Sequence, residues 1–247
     1  YIATSTLEAS LDVQSMAETS TKVFILEVMG RHAGWMAAAS SLARKEKGDA
    51  PHIILLPEIT FNQKKFLVEV KSVVKKNGYC VVVVSEGLKN NKNRFLSESA
   101  TKDAFGHAQL GGVAPYIANL ITDKLKLKNH WAVSDYLQRS ARHIASKTDL
   151  EQAMAVGAKA VQYAVEGMNG VMPIIVRGKT KKYSWKIEPA PLAKIANLEK
   201  KLPKSFIAKN GMDVTPKAIA YLMPLIDFGN LDRKSTRLNS SHIQKSR

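Results

Sequence analysis

Three stretches of the chain are apolar almost throughout and stop abruptly at polar or glycine residues. They are VFILEVM (23–29) before Gly30 and Arg31, HIILLP (52–57) before Glu58, and YCVVVV (79–84) before Ser85, Glu86 and Gly87. A strand apolar on both faces is the mark of a parallel sheet covered on two sides. Helix-forming stretches, roughly 33–47 and 63–76, separate the three. The order strand, helix, strand, helix, strand predicts a doubly wound α/β sheet, mostly parallel, with helices on both faces.

Right-handed crossovers bring the carboxyl ends of such strands to one edge, where open α/β proteins hold ligands. Arg31, Glu58 and Glu86 are therefore expected to converge there. Arg31 offers a planar fork for phosphate oxygens, and a helix starting just after it adds N–H groups for an anion. Glu58, acceptor-only when ionised, suits a hydroxyl-bearing partner such as a sugar. A phosphorylated sugar satisfies both. A surface or capping role remains open for Glu58 and Glu86, and a packed or capping role for His32.

Ala3, Leu7 and Leu11 recur at helical spacing, so the chain is expected to begin in or beside a helix. Further on, Gly111 and Gly112 precede a helical stretch with Pro115 near its first turn. SDYLQRSARH (134–143) gathers Tyr136, Gln138, Arg139 and Arg142, and an amphipathic helix is expected from about 150 to 166. VMPIIVRGKTKKYSWKIEP (171–189) predicts two strands joined by a polar turn.

Composition narrows the function classes. Hydrophobic content of 45% with 23% charged residues describes a globular chain. The single cysteine, Cys80, lies inside an apolar strand and predicts a packed thiol, with no disulfide framework and no Cys/His metal cluster. No apolar run reaches the length of a membrane span and nothing resembles a signal peptide, so a soluble cytoplasmic protein is expected, without a membrane partner. The formal charge of +16 falls to +11 without the five basic residues Arg233, Lys234, Arg237, Lys245 and Arg247. That polar stretch, 233–247, is expected to be disordered and non-native. Charge alone does not make a nucleic-acid reader. No zinc finger, RNP-like aromatic pair or helix-turn-helix signature accompanies it, and phosphorylated small anions explain the charge equally well.

EVMGRHAGW, followed in order by LLPE, SEG, FGHAQLGG and SDYLQRSARH, resembles the phosphofructokinases, and within them the pyrophosphate-dependent branch. The resemblance runs over about residues 1–232. It implies two interleaved Rossmann-like domains, with 1–110 forming most of the sugar-phosphate domain. Residues 111–170 would return to a donor domain that is incomplete here, and 171–232 would cross back. In that family the segment matched by Met29, Gly30 and Arg31 grips the sugar phosphate. The resemblance further assigns fructose hydroxyls to Glu58 and completion of the pocket to Tyr136, Leu137, Gln138 and Arg139. Lys22 stands where ATP-using members carry an arginine that reaches a neighbouring subunit. Leu110 replaces another arginine of those members, which shifts phosphate anchoring toward Arg139.

The implied reaction moves a phosphoryl group from pyrophosphate to the 1-hydroxyl of fructose 6-phosphate, with Mg²⁺, in a homodimer or higher homo-oligomer. The family's catalytic aspartate, in a T-[IV]-D-N-D motif, and its glycine-rich donor loop occur nowhere in the 247 residues. The base is expected upstream, leaving no catalytic residue and no metal ligand in this chain. Two other readings are a non-catalytic phosphosugar-binding or regulatory subunit and an ATP-dependent 6-phosphofructokinase. Nucleic-acid binding is a third.

Overall fold

The computed structural model describes residues 1–46, 48–96, 98–102, 108–110, 112–180 and 182–226. The tail 233–247, Gly111 and the side chain of Leu110, on which expectations were placed, lie outside the described residues. In chain order the elements are α1 (Ile2–Met16), β1 (Val23–Val28), α2 (Trp35–Ala39), β2 (Ile53–Leu55), α3 (Gln63–Asn77), β3 (Cys80–Ser85), β4 (Glu98–Lys102) and β5 (Ala108–Leu110). They continue with α4 (Val113–Leu125), β6 (Asn129–Val133), α5 (Leu137–Ser140), α6 (Lys147–Val165), β7 (Val171–Arg177), β8 (Trp185–Pro191) and α7 (Pro216–Leu222).

Four strands form one parallel sheet in the order β2-β3-β1-β6. The three apolar runs are its inner part, as their pattern predicts. Val23, Ile25, Ile53, Leu55, Cys80, Val82 and Val84 point to one face, where Phe66 and Val70 of α3 and Val113, Ala114, Ile117 and Ile121 of α4 complete the core. On the opposite face Val81 packs with Val13 and Ala17. Cys80 is fully buried and burial pushes its thiol pKa up, so it is a packed thiol as expected.

Local chemistry sets the helix limits. The side chain of Asn62 accepts from the Lys65 N–H and Gly78 closes the other end, so α3 matches its predicted span closely. The helix expected over 33–47 is much shorter. The Ser40 and Ser41 hydroxyls donate to Ala37 O (2.6 Å) and Ala38 O (2.7 Å), competing with the helical ladder, and α2 tightens into a 3₁₀ turn at Ser40–Ala43. Arg44 then leaves the helix, donating to Pro51 O and to Asp213 (2.8 and 3.1 Å). In α1 the buried face is Ile2, Ala3, Thr6, Ser10 and Val13, not the Ala3, Leu7, Leu11 stripe. Leu7 and Leu11 are only half-buried.

The described residues divide into two compact units, 1–142 with 199–221, and 143–198 with 222–226. The resemblance places a change of domain after residue 110, ahead of α4 and β6. α4 and β6 belong to the first unit because the apolar face of α4 fills the same core as β1 and β3. In the second unit α6 lies against the antiparallel pair β7 and β8. Its start at Lys147, three residues before the expected one, follows from the Ser146 side chain accepting from Asp149 N–H (3.3 Å). Gln152 donates to Tyr183 Oη (2.6 Å), which pins that helix to the β7–β8 connection.

His52 supplies a pH dependence. Its Nδ1 accepts from Val81 N–H (3.0 Å), and burial, followed by the positive charge of Arg44, lowers its pKa to about 4. The folded state therefore holds a neutral ring while the unfolded chain protonates near pH 6.5. The stability this confers is present above pH 6.5 and is lost as pH falls toward 4, amounting to about 3 kcal/mol. Urea titrations at pH 7.5 and 4.5 are expected to show this loss, and His52→Phe to flatten it. An equal pH slope in the variant would assign the loss elsewhere.

Candidate active site

All four sheet strands end on one edge, and β1 and β3 run in register from Val23 opposite Cys80 to Val28 opposite Ser85. Their exits are adjacent turns. Glu86 Oε1 accepts from Gly30 N–H (3.0 Å), and Ser85 Oγ donates to Gly30 O. Gly30 has φ +142°, a region that disfavours side chains, and a Cβ there would meet Ser85 Oγ at 2.7 Å. Gly87 is still more constrained: a Cβ on it would lie 1.8 Å from Arg31 O. The turn carrying Arg31 is thus pressed directly against the turn carrying Glu86.

The other half of the edge comes from the segment after β6. Ser134 N–H donates to Glu27 O (2.9 Å), extending the β1–β6 pairing into the SDYLQR segment. Gln138, on α5, then reaches back so that its Oε1 accepts from Met29 N–H at 3.3 Å. Met29, Gly30, Arg31 and Gln138 are brought together in this way, although more than a hundred residues separate the two segments. Tyr136 and Leu137 stand open to solvent, 67% and 61% exposed. The Arg139 guanidinium lies 5.3 Å from the centre of the Tyr136 ring.

Glu58 is placed differently from its neighbour Glu86. Its Oε1 accepts from Gly34 N–H (2.9 Å) and from Leu202 N–H (2.8 Å), and Oε2 is buried with no hydrogen-bond partner. This carboxylate clamps the first residues of α2 to the 199–202 segment. His32 pairs through Nδ1 with Glu199 and stacks on Phe95, ring centres 5.8 Å apart. Lys22 is not part of the cluster: it precedes β1, at the opposite edge of the sheet, and its ammonium donates to Ala17 O.

One structural brace of this edge was not singled out by the apolar pattern. Glu27, only 2% exposed in the middle of β1, directs Oε2 at Ala114 N–H (2.8 Å), the start of α4. Burial pushes its carboxyl above the ordinary range; the Ala114 N–H opposes this and the nearby Glu86 carboxylate adds to it. Through its side chain and its carbonyl, Glu27 ties β1 to both α4 and the segment leading to Gln138. A lone acid inside VFILEVM was the visible hint. Among the described residues, no three His, Cys, Asp or Glu side chains come together as a metal site. No helix there is long and apolar enough to cross a membrane.

A parallel α/β sheet whose carboxyl edge joins an MGR turn to a YLQR segment defines a class. The phosphofructokinase family model matches residues 3–164, and the chain belongs to that family. Pyrophosphate–fructose 6-phosphate 1-phosphotransferase of Halomonas elongata is 57% identical over 226 residues, which are 92% of this chain and 54% of that protein. The protein of the same name from Xanthomonas campestris is 56% identical over 227 residues, with the same coverage. The crystal structure of pyrophosphate-dependent phosphofructokinase from Marinobacter aquaeolei superposes with a TM-score of 0.80 at 54% identity, covering 92% of this chain and 53% of the other. The chain spans about half the length of the relatives it matches.

The contact at Gly87 is directly testable. Gly87→Ala is expected to push Arg31 out of place without disturbing the core strands, because the clash is with the backbone of one turn. The Gly30 and Arg31 amide resonances of the variant are expected to shift while those of Val82 and Val84 stay in place, since the clash is confined to the two turns. Unmoved Gly30 and Arg31 resonances would show that the two turns do not press on each other.

Proposed function

We propose that the whole protein transfers a phosphoryl group from pyrophosphate to the 1-hydroxyl of fructose 6-phosphate, and that this chain contributes the acceptor pocket. The hydrogen bond between Met29 N–H and Gln138 Oε1 is the observation that carries the reading, since it unites the two segments expected to hold the sugar phosphate. Arg31 and Arg139 supply guanidinium groups for the phosphate dianion, and Tyr136 and Gln138 add hydrogen-bonding groups beside them. Met29, Gly30 and Leu137 shape the pocket between them.

Of the two candidate carboxylates, Glu86 is the better placed to accept from a sugar hydroxyl, because it sits on Gly30 itself. Glu58 has its Oε1 engaged by two backbone N–H groups and acts as the clamp that holds the turn. In this reading the unit formed by 1–142 and 199–221 is the sugar-phosphate domain. The remaining described residues belong with the donor side. The base that takes the proton from the 1-hydroxyl is an aspartate outside these residues. Positioning and charge stabilisation supply most of catalysis in phosphoryl transfer, so the acceptor pocket is a substantial share of the machinery.

Magnesium would accompany the pyrophosphate, as it generally does in this family. The described residues do not form a set of ligands for it, and nothing in the acceptor pocket requires it. Lys22 has no place in this chain's own pocket, and a contact to a neighbouring subunit in a homo-oligomer is the role left to it. Cytoplasmic residence accords with a glycolytic substrate.

Two measurements test the proposal. The full-length coding sequence is expected to turn over fructose 6-phosphate with pyrophosphate and Mg²⁺. In that protein Arg139→Ala should lower kcat/KM for fructose 6-phosphate by roughly 10- to 100-fold, the loss of about 1.5–3 kcal/mol from a charged hydrogen bond, with the KM for pyrophosphate hardly changed. A defect confined to the donor, or none at all, would take Arg139 out of the acceptor pocket.

A further inference from the structure

A cleft of about 820 Å³ opens beside the Arg31 turn without including Met29, Arg31 or the Tyr136–Arg139 segment. Its walls combine three lysines, Lys89, Lys201 and Lys204, with the apolar side chains of Ile59 and Ile207. Two carboxylates also line it, Glu199 and Glu58, the Oε2 of Glu58 being buried without a hydrogen-bond partner. Glu199 pairs with His32, and Oε1 of Glu58 accepts from Gly34 and Leu202 N–H. The three lysines form no ion pair among the described residues. Lys89 instead lies 4.8 Å from the centre of the Phe95 ring, the ring on which His32 stacks. Three lysines against two carboxylates leave the cleft with an excess of positive charge next to apolar surface, in a concavity large enough for a small organic molecule.

The seam along which the cleft runs is the second observation. The 199–202 segment is stitched to the residues just after Arg31 at three places: Glu199 to His32, Lys200 O to Trp35 Nε1 (2.7 Å), and Leu202 N–H to Glu58, which also holds Gly34. Lys201 lies within that stitched segment, Lys204 two residues beyond it, and Lys89 two residues after Gly87. A molecule bridging these lysines would hold the seam closed and steady the turn that presents Arg31.

We propose that this cleft is a second ligand site, for an organic phosphate whose dianion is held by Lys89, Lys201 and Lys204 and whose carbon body lies on Ile59 and Ile207. Its consequence for catalysis rests on the acceptor role of Arg31, whereas binding in the cleft does not. Trp35 is a built-in reporter, because its indole N–H bonds the carbonyl of Lys200, adjacent to Lys201.

Phenyl phosphate, titrated into the isotopically labelled 247-residue chain, is expected to shift the Trp35 indole and Leu202 amide resonances saturably. The K201A/K204A variant should weaken this binding at least roughly tenfold, since both lysines are charged donors to the dianion. Both side chains are exposed, and unmoved Trp131 and Trp185 resonances would report an intact fold. Inorganic phosphate, lacking the carbon body, should bind several-fold more weakly. Arg31→Ala should leave the phenyl phosphate affinity within about twofold, as a separate site requires. The site is refuted by the absence of a saturable shift, by one that survives loss of the lysines, or by equal affinity for inorganic phosphate. Loss of binding in Arg31→Ala would refute it too, placing the probe in the acceptor pocket. Fructose 6-phosphate binding undiminished in Arg31→Ala would count against the acceptor reading and leave the cleft standing.

Discussion

The backbone contact between Gly87 and Arg31 is the constraint around which the site is arranged. Parallel pairing in register makes β1 and β3 end together, so their turns must share one small volume. Absence of a Cβ on Gly87 permits that approach, and the hydrogen bond from Gly30 N–H to Glu86 fixes its direction. For the phosphate-binding role proposed for Arg31 a rigid mount matters more than a long reach, because a fork that wanders loses its two-point geometry. Here the mount is main chain against main chain, and side chains such as Ser85 serve only to brace it.

Glu27 solves a related problem deeper in the molecule. An acid buried in the middle of a strand is costly unless its charge meets fixed donors. The N–H groups at the start of α4 meet it, so the helix and the strand are held in one register by an interaction that has little tolerance for displacement. The carbonyl of the same residue holds Ser134. One residue thereby fixes the position of both elements that frame the acceptor edge.

Much of this was legible in the sequence, for identifiable reasons. Runs such as CVVVV leave no doubt about a strand covered on both faces, and Asn62 and Gly78 punctuate α3 at its true ends. The motifs around Arg31 and Gln138 read as parts of one site. The carboxylates did not sort themselves, because a glutamate following a strand looks the same whether it braces the adjacent turn or accepts from two backbone N–H groups of separate segments. Only geometry separates Glu58 from Glu86. β6 was missed because an edge strand that is half exposed lacks a continuous apolar run. The backward packing of α4 onto earlier strands was not legible either, since a long-range contact leaves no local pattern.

β6 pairs with β1 across roughly a hundred residues of intervening chain. Long-range parallel pairing is slow to form, since loop closure must precede any gain from the contacts it brings. Gln138 cannot meet Met29 until that closure has occurred. During synthesis the MGR turn would thus exist for some time as an exposed, half-built structure, and completion of the pocket would report that the sheet has finished folding.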